Sequence, residues 1–266
     1  MRVKPVLAVG VRSVLILGAA LSLAACDVVV GSLHARAQAE ENWSKVYQLS
    51  QGGTVEIVNA NGRIEVTGGD VKQVEVKAII RARSSTEESA KEFLEKIEIR
   101  EEAGGDLVRL ETTAPRVSGS HAEVEYQVSL PGWASVRLRN TNGQVWVRGL
   151  SGNVRAETTN GGVKGEGLTG GVEASTTNGG VNLEIASVGE AGIRAETTNG
   201  GVQVSLPADA KAEVRASCVN GGISVSGLKL EGGPEPTRRR VEGNLNGGGP
   251  PVVLQTTNGG IKVTGK

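Results

Sequence analysis

The chain has 266 residues, 29 basic and 29 acidic side chains and a formal net charge of zero, which removes the simplest electrostatic case for binding nucleic acid or an anionic surface. Glycine, at 39 residues, is about twice as frequent as in ordinary proteins, while only 2% of residues are aromatic, so a ring-rich core is excluded. With only 8 prolines the composition fits neither collagen nor a proline-rich linker, and the glycines must serve tight turns.

Arg2, Lys4 and Arg12 accompany the apolar run from Val14 to Leu23. That run is too short for a comfortable transmembrane helix and matches the apolar region of a signal peptide. It ends Leu23-Ala24-Ala25-Cys26, which resembles a bacterial lipobox. Residues 1–25 are then a lipoprotein signal peptide, and Cys26 carries diacylglycerol and palmitate-type chains, two or three of which suffice for stable anchoring. The processed chain keeps 26 basic against 29 acidic residues, a net charge of −3. Asp27 after the anchor retains lipoproteins at the inner membrane in some Gram-negative bacteria, so the choice of membrane stays open. Residues 26–41 read as a tether with a reach on the order of 20 Å. With Cys26 acylated, Cys218 has no intramolecular partner, which excludes a disulfide framework and a cysteine metal site.

Residues 42–134 alternate as strands over Trp43 to Leu49, Thr54 to Val66, Val71 to Arg83, Leu107 to Thr112 and Glu123 to Leu130, with a turn at Pro131-Gly132. Between them a helix is predicted from Thr86 to about Lys96, opening at Ser84 or Ser85. This region reads as irregular first rungs with a capping helix.

From residue 135 to 266 the chain repeats itself. The corners are Asn142-Gly143, Asn160-Gly161, Asn178-Gly179, Asn199-Gly200, Asn220-Gly221 and Asn258-Gly259, spaced by 18, 18, 21, 21 and 38 residues, and Asn61-Gly62 is an earlier copy. In the copy starting at Val154, alternation sends Val154, Ala156 and Thr158 inward and Arg155, Glu157 and Thr159 outward. The equivalent inward positions form columns: Val154, Val172, Ile193, Val214, Val252; Ala156, Ala174, Ala195, Ala216, Leu254; and Thr158, Thr176, Thr197, Cys218, Thr256. Asn-Gly between short strands is also a hairpin signal, so an antiparallel β-meander or sandwich is the alternative. Identity down the columns favours an all-β solenoid of stacked 18–21-residue rungs, in which corner asparagines can hydrogen-bond as a ladder. A narrow core accounts for the missing rings, and Cys218 reads as a buried small residue. Residues 229–251, with Arg238-Arg239-Arg240, interrupt the last spacing as an exposed loop or irregular extra strand.

The lipobox, the strand-helix-strand entry, Val58-Asn59-Ala60-Asn61-Gly62 before Ile64-Glu65-Val66 and the serial Thr-Asn-Gly units resemble the bacterial domain of unknown function 4097 family, a β-strand-repeat family labelled as candidate adhesins. The resemblance covers about residues 42–266. It implies a right-handed β-solenoid at the cell envelope and no catalytic residues.

The residues themselves offer little chemistry. After processing, the histidines are His34 and His121, and no His/Cys/Asp/Glu set has metal-ligand spacing. Four aspartates, Asp27, Asp70, Asp106 and Asp209, exclude calcium-binding Asp-rich turns. Outward columns mix Arg137, Arg155, Glu173, Arg194 and Arg215, which reads as a salt-laced face rather than a carboxylate pair for cleaving glycans. An outward column of Thr159, Thr177, Thr198 and Thr257 lacks the second column that an ice-binding face needs. Arg238-Arg239-Arg240 reads as a charged solvated loop, and Trp133 and Trp146 as packed near the cap rather than as sugar-stacking rings. The expectation is a non-enzymatic, lipid-anchored envelope protein without cofactor, metal or nucleic acid, facing outside the cytoplasm and presenting a binding or scaffold surface to an envelope protein or glycan. An envelope-stress sensor and a polysaccharide-acting enzyme are the other readings.

Overall fold

The computed structural model describes residues 37–266; Cys26, His34 and the expected signal peptide lie outside the described residues. The N-terminal part comprises β1 (Ala37–Tyr47), β2 (Thr54–Asn61), β3 (Ile64–Gly69), β4 (Val74–Ser84), helix α1 (Glu87–Leu94), β5 (Glu98–Ala103), β6 (Leu107–Thr113) and β7 (His121–Pro131). Strand pairs then follow across each corner: β8 (Ser135–Asn142) and β9 (Val145–Arg148), β10 (Val154–Asn160) and β11 (Val163–Leu168), β12 (Val172–Asn178) and β13 (Val181–Ile185). The next are β14 (Ile193–Asn199) and β15 (Val202–Leu206), then β16 (Ala212–Asn220) and β17 (Ile223–Ser226). An excursion through β18 (Leu230–Glu231) and β19 (Arg240–Leu245) precedes the last pair, β20 (Pro251–Asn258) and β21 (Ile261–Gly265).

Each corner sends one strand to each of two facing walls. The first wall runs β1-β4-β7-β3-β9-β11-β13-β15-β21-β17 and the second β18-β19-β16-β20-β14-β12-β10-β8-β2-β6-β5. Successive repeats pair in parallel and in register: Val154 faces Val136 on one side and Val172 on the other, and Val172 faces Ile193. Parallel pairing of equivalent residues is a solenoid and rules out the antiparallel meander. The inward Val, Ile, Leu and Ala of both walls form one continuous buried core, where burying a single Val or Leu contributes about 1.5–3 kcal/mol.

The stacking order departs from chain order. The columns read from the sequence place Val214 before Val252, but Val252 pairs with both Ile193 and Val214. In the facing wall Ile261 likewise lies between Val202 and Ile223. The C-terminal rung is therefore inserted between two rungs made earlier in the chain, and the 38-residue spacing is the length of the detour. The detour is not a plain loop, because β19 adds antiparallel to β16 and β18 adds to β19.

Parallel stacking ends at antiparallel strands on the N-terminal side, where β1 pairs with β4, β4 with β7, and β5 with β6. The stretch from Thr54 to Val66 is two strands split by the Asn61-Gly62 corner, and β5 was not anticipated. The helix starts later than its sequence suggests. Its N-cap is Thr86, whose Oγ1 accepts from the Ser89 backbone N–H at 3.1 Å while Ser89 Oγ accepts from Thr86 N–H at 3.1 Å. Ser84 is instead the last residue of β4, buried and hydrogen-bonded to Ser120 at 3.0 Å. The helix buries Ala90, Phe93 and Leu94 over the end of the core. The rings gather here too: Trp43, Phe93 and Tyr126 are all buried at this end. No described helix is long and apolar enough to cross a membrane.

Candidate functional site

The corners form the most regular feature of the molecule. Each corner Asn donates from Nδ2 to Oδ1 of the neighbouring one, in the order Asn220→Asn258→Asn199→Asn178→Asn160→Asn142→Asn61, at 2.7–2.9 Å. Asn61 ends the ladder by donating to the Ala122 carbonyl at 3.0 Å. Just inside runs a second ladder, in which Thr158, Thr176, Thr197 and Thr256 donate to the carbonyls of Gly143, Gly161, Gly179 and Gly200 at 2.8–3.1 Å. Those buried hydroxyls are thereby satisfied.

Two residues that sequence reasoning missed complete this inner column. Asn140 donates to the Gly62 carbonyl at 2.7 Å and Asn59 to the Val124 carbonyl at 2.9 Å. Their signal was present, since each lies two residues before a corner Asn, where later repeats carry Thr. Cys218 occupies the same column, buried and with a free thiol.

The glycine of each corner is required by close approach. A Cβ on Gly161 would lie 2.1 Å from the Gly143 carbonyl oxygen, and one on Gly179 2.0 Å from that of Gly161. Gly62, Gly143, Gly200, Gly221 and Gly259 meet neighbouring carbonyls at 1.8–2.2 Å in the same way. The corners thus hold rungs together, each step of the ladder joining one amide N–H to one amide oxygen.

The outer face of the second wall carries a broad groove. This shallow groove of about 910 Å³ crosses six adjacent strands of the wall, from β2 to β20, and is lined by Arg137, Arg155, Glu173, Arg194, Glu196 and Val253 among others. Its two carboxylates are held by guanidinium groups, Glu173 by Arg155 at 3.2 Å and Glu196 by Arg194 at 2.5 Å; outside the groove, Glu157 is held by Arg155 at 2.6 Å and Arg139 at 3.4 Å. Arg137 has no carboxylate within 4.0 Å among the described residues. Thr177, Thr198 and Thr257 line a separate hydroxyl-rich depression of about 450 Å³ near the corners.

On the first wall Trp146 faces outward but presents no bare ring. The Arg148 guanidinium lies 4.1 Å and the Lys164 ammonium 4.5 Å from its centroid, a favourable cation–π stack. Arg148 is paired in turn with Glu65. Lys164, 2.7 Å from Glu166, holds that carboxyl below the usual carboxylate range. Trp133 is partly buried and packs against the core. His121 is exposed at the start of β7, opposite Arg83. Tyr47, bonded to Glu101 at 2.8 Å, and Tyr126 have phenol pKa values raised above the ordinary range, in both cases chiefly by burial. Among the described residues no group of three or more His, Cys, Asp or Glu is placed to hold a metal ion.

A family model described as Toastrack DUF4097 matches residues 49–264. The fold is similar to a solved candidate cell adhesion protein from Clostridium sporogenes, with 16% identity and a TM-score of 0.50 over 85% of this chain and 100% of the other. A candidate adhesin from Bacteroides fragilis matches at 11% identity and a TM-score of 0.39, over 85% and 97% of the two chains. A candidate lipid binding protein from Parabacteroides distasonis matches at 9% identity and 0.26, over 85% and 97%. No curated protein matches the sequence.

Proposed function

Because the chain belongs to the Toastrack DUF4097 family, we propose that it is a non-enzymatic, lipid-anchored protein of the bacterial cell envelope whose solenoid presents a rigid binding or scaffold surface of the adhesin kind. The observation that carries this reading is the state of the carboxylates along the groove on the second wall. Glu173 and Glu196 are each paired with arginine, whereas a general acid for glycan cleavage needs a carboxyl free of such a counter-charge. Mixed charges fixed in rows about 4.8 Å apart suit recognition of an extended partner. The family and the name of the Clostridium sporogenes protein support the adhesin-like class, and the Leu23-Ala24-Ala25-Cys26 sequence supports the anchor.

Two measurements test it. Palmitate labelling in a bacterial host should mark the chain, and Cys26→Ala should abolish the label and move the protein from the membrane to the soluble fraction. In-cell crosslinking of the lipidated protein with mass spectrometry should return a defined envelope partner. Hydrolysis of envelope glycans by the purified protein, lost on changing a single Glu, would overturn the non-enzymatic reading.

A further inference from the structure

The two ends of the solenoid differ. At the N-terminal end α1 closes the core, and the edge strands β1 and β5 carry charges along their length. At the other end β17 has β21 on one side and no strand on the other. It reads Ile-Ser-Val-Ser, with neither charge nor proline to discourage pairing.

The ladder with β21 fixes which backbone groups remain free. The Ile261 N–H donates to the Gly222 carbonyl at 3.0 Å, so Gly222, Ser224 and Ser226 turn their groups toward β21, and Ile223 and Val225 turn theirs outward. The Arg238 carbonyl takes the Ile223 N–H at 3.0 Å. The Ile223 carbonyl and both backbone groups of Val225 have no strand to meet. Inward, Ile223 and Val225 end the columns of Ile261 and Val263, but are only half-buried where those two are fully buried. With Leu228, Leu230 and Val241 they line an open pocket of about 480 Å³ beneath residues 232–237.

Charge completes the description. Glu231 and Glu242 at the mouth are already held by Lys229 at 2.9 Å and Arg240 at 2.7 Å. Arg238 and Arg239 have no carboxylate within 4.0 Å among the described residues, against a single unpaired carboxylate, Glu235. The lip therefore carries excess positive charge.

We propose that this tip accepts an extended segment of a partner protein as one further strand beside β17. The segment would place small or β-branched apolar residues two positions apart, to continue the columns of Ile223 and Val225, and acidic residues at its flank, to meet Arg238 and Arg239. The assignment deepens the binding role proposed above and rests on it.

The test uses the full chain and the labelled synthetic peptide Asp-Asp-Val-Thr-Val-Thr-Asp-Asp, read by fluorescence anisotropy. Binding should be about tenfold tighter than to a peptide of the same composition with adjacent valines, or to one with Lys for Asp. The Arg238→Glu, Arg239→Glu double variant should weaken it by about tenfold, and Val225→Pro should abolish it. Because Val225→Pro can unfold the last rung, hydrogen exchange of residues 223–226 in the unaltered chain gives a second readout, and the peptide should slow it. Equal affinity for the three peptides, absence of binding, or unchanged exchange would overturn the proposal. So would slowed exchange at high protein concentration without peptide, which would assign the edge to a second copy of the chain. Peptide binding without any crosslinked envelope partner would sink the envelope reading alone, and the converse would sink the tip alone.

Discussion

Gly179→Ala is the sharpest challenge to the account of the corners. The new Cβ would lie 2.0 Å from the Gly161 carbonyl oxygen, more than 1 Å inside ordinary contact, and that oxygen also accepts the Thr176 hydroxyl at 2.8 Å. Opening the rungs enough to relieve the clash stretches the Thr176 bond past hydrogen-bonding distance. Overpacking costs about 1–3 kcal/mol, a side chain at the φ of +153° adds about 1–2 kcal/mol, and the orphaned hydroxyl adds about 1–3 kcal/mol. Because these overlap, about 4 kcal/mol is expected, a fall in Tm of about 10 °C for a domain of this size. Gly180→Ala is the control: its Cβ would meet the Gly201 oxygen at 3.3 Å with no backbone strain, so a loss under about 1 kcal/mol is expected. Urea unfolding followed by circular dichroism measures both. If Gly179→Ala costs no more than Gly180→Ala, close approach is not what the corner glycines provide.

Other parts of the structure make independent forecasts. Cys218→Thr places a hydroxyl in the column that serves the corner carbonyls and should leave stability unchanged or raise it by up to about 1 kcal/mol; a marked drop in Tm would remove Cys218 from that column. Asn178→Ala deletes two ladder bonds of 2.9 Å and should cost about 1–2 kcal/mol, whereas Asn220→Ala, at the end of the ladder with one bond of 2.8 Å, should cost about half as much. Equal urea midpoints for the two would tell against a cooperative ladder. Tyr47 and Tyr126, the only two tyrosines of the chain, have raised folded-state pKa values. A raised pKa contributes stability that is present below the ordinary phenol value near ~10 and lost as pH rises above it. Ultraviolet titration should therefore show the tyrosinate of buried Tyr126 appearing together with global unfolding; smooth ionisation of both tyrosines in a still-folded chain would contradict the burial of the Tyr126 phenol.

The rung itself was legible because it is local. Alternation in the segment from Val154 to Thr158 sorts its side chains between core and solvent, and the Asn-Gly corner marks where the chain changes walls. Order among rungs was not legible, because a column of Val, Ala and Thr looks the same to every neighbour. Nothing in Val252 prefers Val214 to Ile193, so stacking by chain order was the natural reading and the wrong one. The place of Asn59 and Asn140 in the inner column was not legible because they replace Thr with a different side chain that reaches the equivalent carbonyl. The helix start was misplaced because Ser84, Ser85 and Thr86 are all competent caps, and the long ladder of β4 claimed Ser84. The outer faces were legible only as mixed charge, since which arginine clamps which glutamate depends on neighbours brought together from different rungs.

The inserted rung also governs when the molecule can be finished. β14 and β16 are made well before the strand that joins them, and neither wall is continuous until residues 251–265 exist. Until then Ile193, Val214, Val202 and Ile223 lack the neighbours they have in the finished stack, and because the columns are interchangeable the β14 and β16 rungs can meet directly in a register that must later reopen. A chain still emerging from the ribosome, or still threading across a membrane, cannot lock these rungs into their final order before residues 251–265 are free to pair. Completion of both walls is thereby tied to residues 251–265.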